Sequence, residues 1–419
     1  MIKYSLENGM TVLLQPVEGV VSISVGLWIK TGSRDERENE RGYAHFVEHM
    51  LFKGTSQYSA KDIARIVDRV GGQHNAATNR EYTCYYINVV SDFLDMSVKL
   101  IADMYYNSLF DDDEIGKEKN VIIEEIRMYE DTPDELIHDV FMECMLARHP
   151  LGHSILGTQA SIKGTNREKL VGFYQDHYGT DNVVFVIVGN FNIEEARASI
   201  DRYFQGSFGR TDGRLPTHDP SPGKIRRRHI PKDLEQVHFC LGTEGLKRDD
   251  DSRWGLYILS TILGGSMSSR LFQNIREKEG LCYSVYSFHS SYKERGIFGI
   301  YCGTSPENYD RALELILKEC RAVVETGITA EELEDAKTFM IGNLALSLES
   351  NEVRMGQLAK NEMVYGRDFP FLEIAQKINS VTLDDFNRIG HYLFADKELT
   401  LVTIGKLPSG VEDVASIRI

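Results

Sequence analysis

The chain opens on short runs in which apolar and polar residues alternate. Val12-Leu-Leu-Gln and Ile23-Ser-Val-Gly-Leu-Trp-Ile predict strands by their period of two. A charged, glycine-containing turn follows, Thr31-Gly-Ser-Arg-Asp-Glu, then a helical stretch, further strands and longer helices. The run closes on an apolar strand, Asn182-Val-Val-Phe-Val-Ile-Val-Gly. The same succession returns with Gln236-Val-His-Phe-Cys-Leu-Gly, the turn Thr243-Glu-Gly-Leu-Lys-Arg-Asp-Asp, and a final strand, Leu399-Thr-Leu-Val-Thr-Ile-Gly. The period is far too long for a solenoid. It predicts an α+β fold duplicated within the chain, each domain a mostly antiparallel sheet backed by helices.

Between the halves lies a stretch without hydrophobic period. Four of the ten prolines (Pro216, Pro220, Pro222 and Pro231) fall there among glycines and small polar residues. That composition predicts a linker over 209–231, joining domains at 1–208 and 232–419. The charge run Arg226-Arg-Arg reads as its solvated end. A length of 419 residues agrees with two domains, since one core rarely grows past about 250–300 residues.

Composition removes several classes of function. No apolar run approaches the ~20 residues of a membrane span, and the N-terminus enters a predicted strand without an apolar signal core. Acidic residues outnumber basic ones 63 to 47, a formal charge of −16, which repels nucleic acid and anionic membranes and favours basic partners. Six scattered cysteines without a CxxC pair argue against a disulfide framework. The expectation is a cytoplasmic protein with reduced thiols and neither membrane nor nucleic acid among its partners.

The chemistry gathers in Gly42-Tyr-Ala-His45-Phe-Val-Glu48-His49-Met-Leu-Phe-Lys-Gly54. Its apolar spacing and the terminal glycine predict a helix ending near Lys53. Positions i and i+4 share a helix face, so His45 and His49 can present two imidazoles to one ion. Glu48 borders that face and is placed to reach water at the metal. Two imidazoles with a carboxylate suit Zn²⁺. A third ligand is expected from the helical segment Asp113–Tyr129, where Glu118, Val121, Ile122 and Glu125 fall on one stripe. A carboxylate on a buried stripe is costly unless paired or metal-bound, which makes Glu125 the candidate. Glu118 is placed to orient a histidine. Glu124, with Asn120 and Arg127 as helical neighbours, reads as solvated.

With these residues in place the sequence resembles the pitrilysin/insulinase family of zinc peptidases, which carry the inverted H-x-x-E-H string. Within it the resemblance is to the mitochondrial processing peptidase β-subunit and its short bacterial relatives. The resemblance rests on Arg41-Gly-x-x-His-Phe-x-Glu-His-Met-x-Phe-Lys-Gly-Thr55, Gly71-Gly-x-x-Asn75-Ala and Val121-Ile-x-Glu-Glu-Ile. It continues through Gly264-Gly-x-Met-Ser-Ser-Arg-Leu-Phe and Arg276-Glu-Lys-x-Gly-Leu-x-Tyr283-Ser-Val. The chain departs from the family pattern only in the 75 residues between His49 and Glu125, a spacing that keeps Glu124 open as the alternative ligand.

The resemblance implies a zinc metalloendopeptidase whose two α+β halves enclose a cavity. One Zn²⁺ per chain would be held by His45, His49 and Glu125, with Glu48 as general base. The C-terminal half has no H-x-x-E-H and would instead supply Arg276 and Tyr283. Without the family these two read as a surface charge and a core residue. Asn75 and Ala76 match an edge strand that receives the substrate backbone; Glu81 is assigned no role and reads as a surface acid. Extended peptides or presequences are the implied substrates, basic ones favoured by the charge. Two domains make half of a four-domain chamber, so a homodimer is implied. The competing readings are a non-catalytic scaffold homologue and an active subunit that needs an inactive partner.

Overall fold

The computed structural model describes residues 1–206, 208, 223–408 and 417–419. Two compact units emerge. The first is built from Met1–Met128, the run from His153 through the helix Ile193–Tyr203, and Ser347–Asp368. Its sheet has strands β1 (Ile2–Ser5), β2 (Thr11–Pro16), β3 (Ser22–Ile29), β4 (Gln73–Thr78), β5 (Thr83–Val90) and β6 (Val183–Gly189), in the order β1-β2-β6-β3-β5-β4. Only the β2–β6 pair is parallel.

The all-apolar sequence of β6 has a plain cause, since both of its faces are buried. Val183, Phe185 and Ile187 point into a core filled by helices that include Tyr43–Met50, Leu94–Asn107 and Asp112–Glu130. Val184, Val186 and Val188 point the other way, with Leu13 and Trp28, against Met355, Leu358 and Ala359. Those three belong to the helix Asn351–Tyr365, which arrives from far along the chain.

The second unit joins Tyr129–Gly152, the run from strand β7 (Arg227–Ile230) to Leu346, and Phe369–Ile419. Its other strands are β8 (Val237–Gly245), β9 (Cys282–Ser291), β10 (Gly296–Thr304), β11 (Glu398–Ile404) and β12 (Ile417–Arg418). The order is β12-β11-β8-β10-β9, with β7 also on β11 and parallel to it. Phe239, Phe298, Ile300 and Leu401 face one core. Cys240, Tyr301, Val402 and Ile404 face another, closed by Ile137, Val140 and Phe141 of the helix Pro133–Met145.

The path β2-β6-β3-β5-β4 in the first unit and β7-β11-β8-β10-β9 in the second are the same path, each with its parallel pair at the same step. The α+β fold with two homologous domains is therefore present, mostly antiparallel as expected. Space and sequence part company at two helices: Pro133–Met145 packs in the second unit and Asn351–Tyr365 in the first. The expected linker lies outside the described residues from 209 to 222, and from Arg227 the chain is already strand. Arg228 there pairs with Glu143 at 2.6 Å. Among the described residues no helix is long and apolar enough to cross a membrane.

Candidate metal centre

The helix Tyr43–Met50 packs its apolar side, Tyr43, Ala44, Phe46, Val47 and Met50, into the first core. That orientation turns His45, Glu48 and His49 toward the helix Asp112–Glu130 and the end of β4. Gly42 precedes it with φ +88°, a left-handed conformation that glycine adopts without strain. A Cβ there would also lie 2.6 Å from the Leu156 carbonyl oxygen.

Three donor atoms converge. His45 Nε2 and His49 Nε2 lie 3.2 Å apart, and each is 3.8 Å from Glu125 Oε2. The point in their common plane equidistant from all three lies about 2.1 Å from each, close to a zinc–nitrogen or zinc–oxygen bond length. The two imidazole nitrogens are within hydrogen-bond distance of each other, and their convergence on a carboxylate oxygen places all three to share a cation. Burial, reinforced by His49, pushes the His45 pKa down to about 3, which keeps that imidazole in the neutral, metal-binding form. The donor set fits zinc, and among the described residues this is the His/Cys/acid group able to hold a metal.

Behind the ligands stands Glu118, two turns before Glu125. Its Oε1 lies 2.9 Å from His49 Nδ1 and its Oε2 2.6 Å from Lys53 Nζ. Burial alone would raise this carboxyl's pKa, but the bonds to His49 and Lys53 and the Lys53 charge bring it below its ordinary value. A carboxylate on Nδ1 fixes the ring and leaves Nε2 free for an ion. Glu124 points elsewhere, paired with Arg127 at 2.5 Å with its side chain 69% exposed. Val121, predicted on the same stripe, is half exposed.

Glu48 accepts a hydrogen bond from the Thr78 hydroxyl at the end of β4. Burial raises its pKa, while Thr78 and His49 pull it down. Asn75 and Ala76 lie upstream on β4, an edge strand that among the described residues pairs with β5 alone. Asn75 folds its own Oδ1 onto the Ala76 amide at 2.9 Å, which caps one edge donor.

Arg276 and Tyr283 belong to the second unit, where they meet each other. The segment Phe272–Lys278 is a π-helix, a form often found at functional sites. Its wider turn sets the Arg276 guanidinium 4.6 Å from the Phe272 ring and 4.8 Å from the Tyr283 ring. Tyr283, at the start of edge strand β9, is 77% exposed, the opposite of a core residue.

The sequence reading missed three residues. Lys53, four positions after His49, carried a periodicity signal. Thr78 carried none, because its role depends on where β4 ends in space. Glu81 was read as a surface acid, yet it pairs with buried Arg34 at 2.7 Å and is itself only 13% exposed at the side chain.

Comparison with known proteins agrees with this geometry. A model of "Insulinase (Peptidase family M16)" matches residues 11–159, and one of "Peptidase M16 inactive domain" matches 165–340. A Bacillus subtilis protein described as the uncharacterized zinc protease YmxG is 41% identical over 412 residues, covering 97% of this chain and 99% of that protein. The chain belongs to the M16 family of zinc proteases. Another M16 relative, the uncharacterized zinc protease SCO5738 of Streptomyces coelicolor, is 34% identical over 96% of this chain and 89% of its own. The crystal structure of a protease from Helicobacter pylori superposes with a TM-score of 0.89 at 24% identity, covering 97% of this chain and 99% of that one, a likeness of fold. The name of the second matched model suits a half that lacks the metal string.

Proposed function

We propose that this M16 protease is an endopeptidase acting on extended peptides or presequences, with one Zn²⁺ per chain on His45, His49 and Glu125. The observation that carries the proposal is the convergence of those three donors beside Glu48. Zn²⁺ bound there supplies Lewis acidity and makes water easier to deprotonate. Glu48, its other oxygen held by Thr78, takes the proton of the attacking water and passes it to the leaving amine. Glu118 and Lys53 keep the His49 ring in place. What supports a part for Arg276 and Tyr283 is local: a guanidinium stacked between two rings beside an exposed phenol suits stabilisation of a substrate oxyanion. The free edge of β4 offers main-chain pairing to an extended peptide at Asn75 and Ala76, a mode indifferent to side chains. The charge of −16 favours basic peptides. A reducing, cytoplasmic setting fits six free cysteines, five of them buried.

The test is to incubate the zinc-loaded protein with a diverse peptide mixture and read the cuts by mass spectrometry. Glu48→Gln should keep zinc and lose turnover by at least about 100-fold, whereas His49→Ala should lose zinc as well. Wild-type cleavage by Glu48→Gln refutes the mechanism. The same reading takes the protein as a homodimer, because each chain carries both the metal donors and the Arg276–Tyr283 pair. Native mass spectrometry at micromolar concentration should give twice the chain mass, and a monomer rejects that part.

A further inference from the structure

The short helix that carries His45, Glu48 and His49 starts without a capping side chain, since its N-cap is Gly42. Helix starts leave backbone N–H groups without partners, which Ser, Thr, Asp or Asn usually satisfy. Here the acceptor comes from six residues upstream. Glu36, only 2% exposed, accepts from the Gly42 amide with Oε2 at 2.9 Å and from the Ala44 amide with Oε1 at 2.8 Å. Among the described residues no cationic side chain pairs with it. A buried carboxyl without a cation is expensive to ionise, and burial pushes the Glu36 pKa well above the ordinary carboxylate value although the two amides pull it down; in either form it serves the first turn of the metal-binding helix.

The segment leading to Glu36 grips a second element. Ser33 and Arg34 donate their amides to the Asn79 and Arg80 carbonyls at 3.1 and 3.0 Å, and Arg34 pairs with Glu81. Gly32 makes the approach possible, for a Cβ there would lie 2.2 Å from the Asn79 oxygen. Residues 79–81 directly follow Thr78, which holds Glu48. One segment thus grips the helix bearing the metal donors and the strand end that aims the base.

We infer that Glu36 is a positioning residue for the metal centre, holding the helix start so that the two histidines and Glu48 keep their relation to Glu125 and Thr78. The inference rests on the reading of that centre as a zinc peptidase site. Glu36→Gln is a stringent probe because the two carboxylate oxygens serve two different amides. Each oxygen keeps a lone pair in either protonation state, but an amide nitrogen has none to offer and meets an N–H head on.

Expected for Glu36→Gln is zinc affinity about tenfold weaker by competition with a chromogenic chelator, the low end for groups acting behind metal ligands. With saturating zinc, kcat on a fluorogenic peptide should fall about tenfold with KM within twofold. Affinity and kcat within twofold of wild type in a folded variant overturn the inference. If the variant does not fold, hydrogen exchange on the wild-type apoprotein decides. Gly42 and Ala44 amides as protected as that of Phe46 support the cap, and rapid exchange at both refutes it. A wild-type protein that binds zinc but cuts no peptide, beside a Glu36→Gln variant with weakened zinc binding, sinks the peptidase reading and leaves this inference standing.

Discussion

Thr78 shows what a single hydroxyl is asked to do in this centre. Glu48 sits where burial raises its pKa, and a rotatable carboxylate there needs a fixed partner to present the correct oxygen to water. Thr78→Val keeps volume and β-branching but removes the donor. Its expected effect is a kcat about tenfold lower, with zinc content and KM unchanged and activity largely restored in Thr78→Ser. Steady-state kinetics with metal analysis on the three proteins checks this; unaltered kcat in Thr78→Val removes the hydroxyl from the mechanism. Sequence reasoning could single out His45, Glu48, His49, Glu118 and Glu125 as candidates because each sits on a helix, where the 3.6-residue period assigns a face before any tertiary contact is known. It did not find Thr78, Glu36 or the Arg34–Glu81 pair. Their partners are set by how a loop, a strand end and a helix start meet, and nothing in local periodicity encodes that meeting.

Among elements, the strands were the most legible. Alternation predicted β3 and β8, and the apolar runs predicted β6 and β11. Such runs also carry a further message, for a strand apolar at every position must be covered on both faces. The cover for the second face of each sheet comes from Asn351–Tyr365 and Pro133–Met145. Neither helix announces its destination. Asn351–Tyr365 buries Met355, Leu358 and Ala359 and leaves Val353 exposed, a narrow stripe that would suit either sheet. Chain order is a good guide to neighbours only while connections are short. The edge strands β4 and β9 hold equivalent places in the two sheets, yet their sequences differ. β4 is short, with Asn75 capping the Ala76 amide; β9 runs ten residues and carries Tyr283 at its second position. The duplication was legible, whereas the tasks proposed for the two edges followed from family resemblance alone.

At the scale of the whole molecule one fold is used twice with different interiors. The helix Arg253–Gly264 follows β8 as Tyr43–Met50 follows β3, but apolar residues such as Leu256, Ile258 and Leu259 fill it in place of a metal string. Each unit nonetheless holds a half-buried histidine whose neutral form is favoured. Burial pushes His177 in the first unit and His289 in the second down to about 4; His289 stacks on Tyr257 with ring centroids 4.6 Å apart. In the unfolded chain both rings return to an ordinary pKa near 6.5. Between about pH 6.5 and 4 the unfolded state therefore binds more protons, so stability rises with pH across that window and is lost on acidification. Above pH 7 both states hold these rings neutral and the contribution is flat. Each histidine is worth on the order of 2 kcal/mol by pH 5, enough for the two together to bring a protein of ordinary stability close to unfolding. Urea titrations of the apoprotein at pH 7.5, 6.0 and 5.0 should show midpoints that fall with pH, and the fall should be shallower in His177→Phe and His289→Phe. The aromatic replacement preserves packing, while all other titrating groups cancel in the comparison with wild type. Slopes identical to wild type in both variants would mean that the two rings take up protons in the folded state as readily as in water.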